Sequence, residues 1–331
     1  MKIFITGGAG YIGSYVAYLL RNQDYEIAIF DNLENGHRWA LKDSRFYFGD
    51  LRNFNQILDA IYDFKPDAIM HFAAYIKVEE SVNDPYKYYE NNVLGSLNLI
   101  KAALLNKVKY FIFSSTAAVY GIPKNIPVSE NETCMPINPY GQSKLMVENI
   151  LKDISKSSFL KFGILRYFNV AGADVKAKLG QANKKPTHLI TRVLRAALGK
   201  IPYIEIYGTD YPTKDGTCIR DYIHIKDLAQ AHIDVLNYIK EEDKSDIFNV
   251  GYGKGYSVKE IIDIAKKITK IDFPVKVGKR RKGDPPILIA NAEKLKKLTN
   301  WEPKYNKIET IIEDAWEWEK YLNSNPTLFE Y

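Results

Sequence analysis

The stretch Lys2-Ile-Phe-Ile-Thr-Gly-Gly-Ala-Gly-Tyr-Ile-Gly13 combines a short apolar run, a cluster of glycines and the start of a helical pattern. Ile3 to Thr6 read as a buried strand, and residues 11–21 read as a helix. Gly8, Gly10 and Gly13 fit the spacing G-x-G-x-x-G, while Gly7, Gly10 and Gly13 fit the related T-G-x-x-G-x-x-G. One glycine permits the tight turn, one lets the backbone approach a pyrophosphate, and one lets the helix pack closely on the strand. The free N–H groups and the positive dipole end of the helix then face the phosphates. A carboxylate follows at Asp31, after a second strand over 26–30. It suits a hydrogen bond to an adenosine ribose 2′-hydroxyl, which favours NAD over NADP.

Outward from this turn, strand patterns over 2–6, 26–30, 45–48, 67–72, 108–114 and 161–168 alternate with helix patterns over 11–21, 53–64, 85–105 and 139–155. That order predicts an α/β doubly wound parallel (Rossmann) sheet. Polar or glycine-rich clusters fall at the strand ends, over 7–13, 31–36, 49–51, 72–74, 114–116 and 169–172. Such sheets bind their ligands there. The second half has a different texture, with helices expected over 186–199, 226–239, 257–268, 292–298 and 305–322. Strands are expected over 203–207, 220–225, 246–250 and 287–290. No linker separates the halves. The expected organisation is an NAD-binding domain over 1–170 with a return segment near 219–240, and a smaller interleaved α/β substrate lobe over 171–331.

The 331 residues suffice for one large α/β domain and a smaller one, and 46% hydrophobic with 26% charged content is ordinary for a globular chain. No stretch is apolar enough to span a bilayer, and residues 1–6 are already strand rather than signal peptide. Cys134 and Cys218 show neither metal spacing nor a disulfide framework, which suggests a reducing cytoplasm. The five histidines form no metal motif, so no catalytic metal is expected. The net charge of +6 is mild, and its densest run, Lys279-Arg-Arg-Lys282, precedes Gly283-Asp284-Pro285. An anion clamp is a better reading of that run than nucleic-acid binding, for which no motif is present. The 24 tyrosines are scattered and read mostly as packing.

Tyr140-Gly-Gln-Ser-Lys144 carries the chemistry. Tyr140 and Lys144 share one helix face with Cβ atoms roughly 5–6 Å apart, and Pro139 suits a helix start. A free tyrosine titrates near about 10, and a nearby ammonium can lower its pKa by roughly 1–3. Alone, such a pair occurs by chance on many helices. Upstream, however, a strand ends in Ser114-Ser115-Thr116, whose hydroxyls can hold a substrate hydroxyl opposite Tyr140. Lys144 can also hydrogen-bond a nicotinamide ribose.

With these motifs the chain resembles the extended short-chain dehydrogenase/reductases and, within them, the UDP-glucose 4-epimerases. Matching segments include Thr6–Ser14, Asp31-Asn-Leu33, Gly49-Asp50, His71-Phe-Ala-Ala74 and Tyr88-Tyr-Glu-Asn-Asn-Val93. Phe113–Thr116, Val119-Tyr-Gly121, Pro139–Glu148 and Arg166-Tyr-Phe-Asn169 follow. Tyr207–Thr217, Arg220-Asp-Tyr-Ile-His224 and Arg281-Lys-Gly-Asp284 lie in the second half. The resemblance implies that Gly7, Gly10, Tyr11, Ile12 and Gly13 meet the cofactor diphosphate. It implies Asp31, Asn32 and Asn35 at the adenosine, with Asp50 and Leu51 at the adenine. Phe72, Ala73, Ala74, Asn91 and Phe168 are implied along the cofactor, and Lys144 at its nicotinamide ribose. Thr116 and Tyr140 are then catalytic, with Lys144 tuning the base. Asn169, Leu189 and Tyr207 are implied at the nucleotide, Arg220 and Arg281 at the substrate diphosphate, and Asp284 at the uridine ribose. A UDP-sugar substrate, bound NAD and a homodimer through the helices over 85–105 and 139–155 are implied likewise.

Two positions depart from the resemblance. Some members carry a cofactor-contacting lysine where this chain has Ile76, with Lys77 next to it. Leu288 stands where others have either a bulky tyrosine or a small residue. The activity implied is interconversion of UDP-glucose and UDP-galactose through a 4-keto sugar. Alternatives are a 4-epimerase for N-acetylated or pentose UDP-sugars, a nucleotide-sugar 4,6-dehydratase, and a non-enzymatic NAD-sensing scaffold. Ala117-Ala118 after Thr116 argues against the dehydratase, where an acid pair is usual. The retained Tyr140–Lys144 pair argues against the scaffold.

Overall fold

In the computed structural model, which describes residues 1–281 and 283–329, seven strands form one parallel sheet. Lys282, the last residue of the basic run, lies outside the described residues. The strands are β1 (Lys2–Thr6), β2 (Glu26–Asp31), β3 (Arg45–Phe48), β4 (Ala68–His71), β5 (Tyr110–Thr116), β6 (Lys161–Tyr167) and a last one at Asp246–Val250. Their order across the sheet is Asp246–Val250, β6, β5, β4, β1, β2, β3. The central strands are apolar on both faces, as a parallel sheet covered by helices requires. Ile3 and Ile5 join a core with the helices Tyr11–Arg21 and Ile225–Glu241. Phe4 points the other way, into a core with Phe54–Phe64, Gly95–Leu105 and Pro139–Ser157. The chain winds from β1 to β3 towards one edge and from β4 outwards to the other. This reversal opens a crevice at the carboxyl ends of β1 and β4.

The second lobe is built around helices Leu189–Ala197, Val258–Thr269 and Ile308–Ser324, which bury Val193, Leu194, Ile261, Ile311 and Ile312 together. Ser257 and Glu260 close a reciprocal capping box at the head of Val258–Thr269. One strand serves both lobes. The first part of Ile219–His224 pairs with Gly255–Ser257 and Ile287–Leu288, and its last part with Asn169–Ala171, just beyond β6. The chain then re-enters the large domain as Ile225–Glu241, packs on Tyr11–Arg21, and adds the Asp246–Val250 edge strand. The return thus runs through Val250.

Some features depart from the sequence reading. The pattern over 85–105 predicts one helix, but an α-turn at Pro85–Tyr88 leads into a π-helical segment, Tyr89–Leu94, before Gly95–Leu105. Buried Asn92 lies in that segment. Its Oδ1 accepts from the Tyr75 amide at 2.9 Å, and its Nδ2 donates to the Tyr75 carbonyl at 3.0 Å and to Ser143 Oγ at 3.1 Å. A widened turn carrying an inward polar group is common at functional sites. The helix Val78–Asn83 and the strand Val275–Gly278 were not anticipated. The latter is largely exposed and pairs with Ile204–Tyr207, so it lacked a burial signature. Among the described residues no helix is long and apolar enough to cross a membrane. No group of three or more His, Cys, Asp or Glu gathers there as a metal site.

Asp227, buried on the returning helix, fastens this arrangement. Its carboxylate accepts from Tyr252 Oη at 2.6 Å and from the amides of Lys304 and Tyr305 at 3.0 and 2.8 Å. Its carbonyl takes the Trp301 indole at 2.8 Å. Each buried donor left without an acceptor costs about 1–3 kcal/mol. Asp227→Ala is therefore expected to lose roughly 3 kcal/mol or more, read as a lower urea midpoint. An unchanged midpoint would show that the clasp contributes nothing.

Candidate active site

The crevice begins at the glycine turn. Gly7 has φ +72°, and a Cβ there would lie 2.5 Å from the Ala73 amide nitrogen, just beyond β4. A Cβ on Gly13 would lie 2.4 Å from the Gly7 carbonyl oxygen. Only glycine allows the turn, the start of the helix and the end of β4 to come this close. Gly10 caps Tyr11–Arg21 without a side chain, and no acidic residue lies in the first turn, so the helix end suits an anion. Across the turn, buried Asp31 accepts from the amides of Ala9 at 3.0 Å and Leu33 at 2.8 Å. Burial nonetheless pushes its carboxyl above the usual range. A buried carboxylate at this strand end is the group that a ribose hydroxyl would satisfy. Asn32 donates to Asp50 Oδ2 at 2.9 Å, joining the ends of β2 and β3.

From there one continuous cleft of about 490 Å³ runs across both lobes. It is lined by Gly7, Gly10, Tyr11, Ile12, Gly13, Asp31, Asn32, Asn35, Asp50, Leu51, Phe72, Ala73, Ala74 and Asn91. It continues past Thr116, Tyr140, Phe168 and Asn169 to Arg220, Asp284 and Leu288. Its size and shape, the glycine turn and the buried carboxylate fit a dinucleotide followed by a second ligand. Four expected residues do not line it. Lys144 lies beneath it. Leu189 opens the helix Leu189–Ala197, and Arg281 stacks over Tyr207 at 4.9 Å while its Nε donates to Asp284 at 3.0 Å. Sequence reasoning missed Glu34, Tyr75, Lys87, Asn138, Tyr167, Gln181 and His188, all of which line the cleft, as does Lys77, noted beside Ile76. Tyr167 was readable as a strand-end residue beside Asn169. Lys87 sits in the turn Pro85–Tyr88 and Asn138 caps the Tyr140 helix, and the others arrive from loops; no local pattern encodes their approach to the cleft. Ile76 lines the cleft but is 45% exposed.

At the junction of the two ends sits the Tyr140 phenol. Asn138 caps its helix, accepting from the Gly141 amide at 2.9 Å, and a Cβ on Gly141 would meet the Ala118 carbonyl at 2.6 Å. That close approach brings Tyr140 to the end of β5, where its hydroxyl meets Thr116. Lys144, one turn on, is buried. Its Nζ donates to the Ser114 carbonyl at 2.9 Å and lies 4.9 Å over the Phe113 ring. Neighbouring His71 bridges Thr6 Oγ1 at 2.7 Å and Ser96 Oγ at 2.8 Å. Burial, with the Lys144 charge, lowers its imidazole to about 3, so it stays neutral. Beneath, Arg166 and Glu148 form a buried pair with Nε–Oε1 at 3.0 Å, and Ser115 Oγ donates to the same Glu148 oxygen at 2.6 Å. This pair pins the Tyr140 helix to β5 and β6.

One expectation is corrected. The sequence suggested that Lys144 lowers the Tyr140 pKa. Burial dominates and raises the phenol, opposed by the Thr116 hydroxyl. The lysine is itself lowered to about 7 by burial, so its charge is only partly present at neutral pH.

The NAD dependent epimerase/dehydratase family profile matches residues 3–251. The chain belongs to that family. Among curated members, a UDP-glucose 4-epimerase of Halalkalibacterium halodurans is 46% identical over 97% of this chain and 96% of its own. Among solved structures, the UDP-glucose 4-epimerase of Brucella ovis in complex with NAD superposes with a TM-score of 0.92 at 41% identity, covering 96% and 97% of the two chains. The UDP-Glc/GlcNAc 4-epimerase of Campylobacter jejuni is 48% identical with a TM-score of 0.85, covering 97% and 99%. As in other members of the epimerase/dehydratase family, the cofactor is NAD.

Lys144 has a consequence for stability. Between pH 7 and its ordinary value near about 10.5, the unfolded chain holds the proton and the folded chain does not. Folding is therefore weakened on going down through that window, and the deficit is full below about 7. Lys144→Met is expected to raise the stability of the cofactor-free protein at pH 7 by roughly 2–4 kcal/mol. The advantage should shrink as the pH approaches 10. Urea titrations of both proteins at several pH values check it; a less stable variant throughout would refute it.

Proposed function

We propose that this chain interconverts UDP-glucose and UDP-galactose by oxidising the sugar at C4 and reducing the 4-keto sugar on its opposite face. The observation that carries the reading is the Tyr140 phenol beside the Thr116 hydroxyl, where the cofactor part of the cleft meets the part closed by Arg220 and Asp284. When bound, NAD accepts and returns the C4 hydride and brings a cationic ring that favours the phenolate. Tyr140 takes the proton from the 4-hydroxyl and later gives it back, so it acts first as base and then as acid. Thr116 aims that hydroxyl, and Lys144 would hold the nicotinamide ribose. The second lobe binds UDP: Asn169, Leu189 and Tyr207 take the nucleotide, Arg220 and Arg281 the diphosphate, and Asp284 the uridine ribose. Guanidinium groups match phosphate oxygens. Binding energy at this remote end keeps the oxidised sugar in place while its ring turns over.

One carboxylate supports this role for the arginines. Asp284, which lines the cleft, accepts from Arg281 at 3.0 Å through Oδ2, and its Oδ1 lies 3.9 Å from Arg220, so one carboxylate gathers both guanidinium groups beside that end of the cleft. No carboxylate follows Thr116 there; Ala117 and Ala118 line the cleft instead, which disfavours a 4,6-dehydratase. Exposed Leu94, Leu97 and Met146 support a homodimer through the helices bearing them. The free cysteines Cys134 and Cys218 suit a reducing cytoplasm.

A second reading, a 4-epimerase that also takes N-acetylated UDP-hexosamines, is favoured by Leu288. Its side chain lines the cleft and packs with Phe168 and Ala290, leaving more room than a ring would. Purified protein supplied with UDP-galactose, without added reductant, is expected to form UDP-glucose. A 4-keto-6-deoxy product, or none, would reject the epimerase. Parallel assays with UDP-N-acetylgalactosamine are expected to give turnover within about tenfold of UDP-galactose, an allowance of about 1.4 kcal/mol for the bulkier group. A much larger gap would confine the enzyme to the hexoses. Tyr140→Phe is expected to keep NAD and to lose turnover by roughly 10²–10⁴-fold or more. Turnover equal to the parent's would remove Tyr140 from the reaction.

A further inference from the structure

The cofactor diphosphate carries two negative charges, while the described carboxylates lining the cleft are Asp31, Glu34, Asp50, Glu80 and Asp284. The helix N-terminus at Tyr11 offers only about half a positive charge. Among the described cleft-lining residues the lysines and arginines are Lys77, Lys87 and Arg220, and Arg220 lies beside Asp284 at the far end. Charge compensation at the cofactor end therefore falls to Lys77 and Lys87.

The two lysines are held differently. Lys77 is fixed by its backbone, its amide and carbonyl both bonded to the Tyr88 hydroxyl at 2.9 and 2.7 Å. Lys87 is fixed by its side chain. Its Nζ lies 4.4 Å over the Tyr75 ring and donates to Glu80 Oε1 at 3.0 Å. Tyr75 is itself immobilised, with its backbone clamped by Asn92 and its hydroxyl donating to Glu34 Oε2 at 2.6 Å. Glu34 belongs to the loop after β2 and Tyr75 to the loop after β4, so the Glu34–Tyr75 bond spans the crevice and carries an ammonium on its ring. A cation over a ring keeps its charge and loses little freedom when it turns to a new anion. Glu80 Oε2 also lies 2.9 Å from the Tyr88 hydroxyl, whose single proton it shares with the Lys77 carbonyl, and its side chain is one-third exposed, so water can satisfy it when Lys87 leaves.

We propose that Lys87 is a cofactor-binding cation, aimed into the cleft by the Glu34–Tyr75 bridge, that exchanges Glu80 for the diphosphate of NAD and retains the cofactor through the cycle. This rests on the NAD reading above. The test measures bound NAD in purified protein and the rate at which labelled NAD exchanges from the holoenzyme, for the parent and for Lys87→Met, Lys87→Arg, Lys77→Met and Tyr75→Phe. Lys87→Met is expected to release NAD at least tenfold faster, Lys87→Arg to stay within about threefold of the parent, and Tyr75→Phe to fall between them. Added salt is expected to speed release from the parent more than from Lys87→Met. Parent-like retention in Lys87→Met, equal loss in Lys87→Met and Lys87→Arg, or an effect confined to Lys77→Met would each overturn the assignment. A parent that holds no NAD would overturn this assignment and the wider reading together. NAD retained normally by Lys87→Met alongside full epimerase activity would overturn this one alone.

Discussion

An ammonium taken out of water is the constraint to which the centre of this protein answers. Lys144 is buried under the cleft, and a lone charge in that position is costly. The surroundings share the cost: the Ser114 carbonyl accepts a hydrogen bond from Nζ, the Phe113 ring lies under the charge, and His71 is kept neutral beside it. The carbonyl is available because β5 ends there. The helix reaches it because Gly141 permits contact with Ala118, and the Arg166–Glu148–Ser115 cluster holds helix and sheet at that separation. The poise of the phenol above follows from the same burial. Burial sets the phenol against ionising, and the Thr116 hydroxyl opposes that effect.

Much of this was legible in the sequence because it is local. The glycine turn, the strand ends and the tyrosine–lysine spacing are written in consecutive residues, and the structure gathers most of them along one cleft. What could not be read is what depends on tertiary approach. The π-helical segment follows from where Asn92 meets Tyr75 and Ser143, residues 17 and 51 positions away. Lys87 faces the cleft only because Tyr75 lies beneath it. The sign of the Tyr140 shift was misread for a related reason: spacing reveals a neighbouring charge but not the dielectric around both groups, and here burial is the larger effect.

The two ends of the cleft differ in how they are prepared. At the cofactor end, backbone groups and the buried Asp31 carboxylate are fixed by strand ends and a tight turn, with Lys87 and Glu80 paired beside them. At the other end, charged side chains are held by one another, Asp284 between two arginines. A rigid seat suits a ligand that stays, and adaptable forks suit one that must arrive, turn over and leave.

The strand Ile219–His224 has a mechanical implication. Because it is hydrogen-bonded at one end to the small lobe and at the other to Asn169–Ala171, it acts as a splint across the joint. A jaw-like opening would have to shear backbone pairs rather than flex a hinge. The easier route into the slot is then past its side chains, with the backbone pairs left intact.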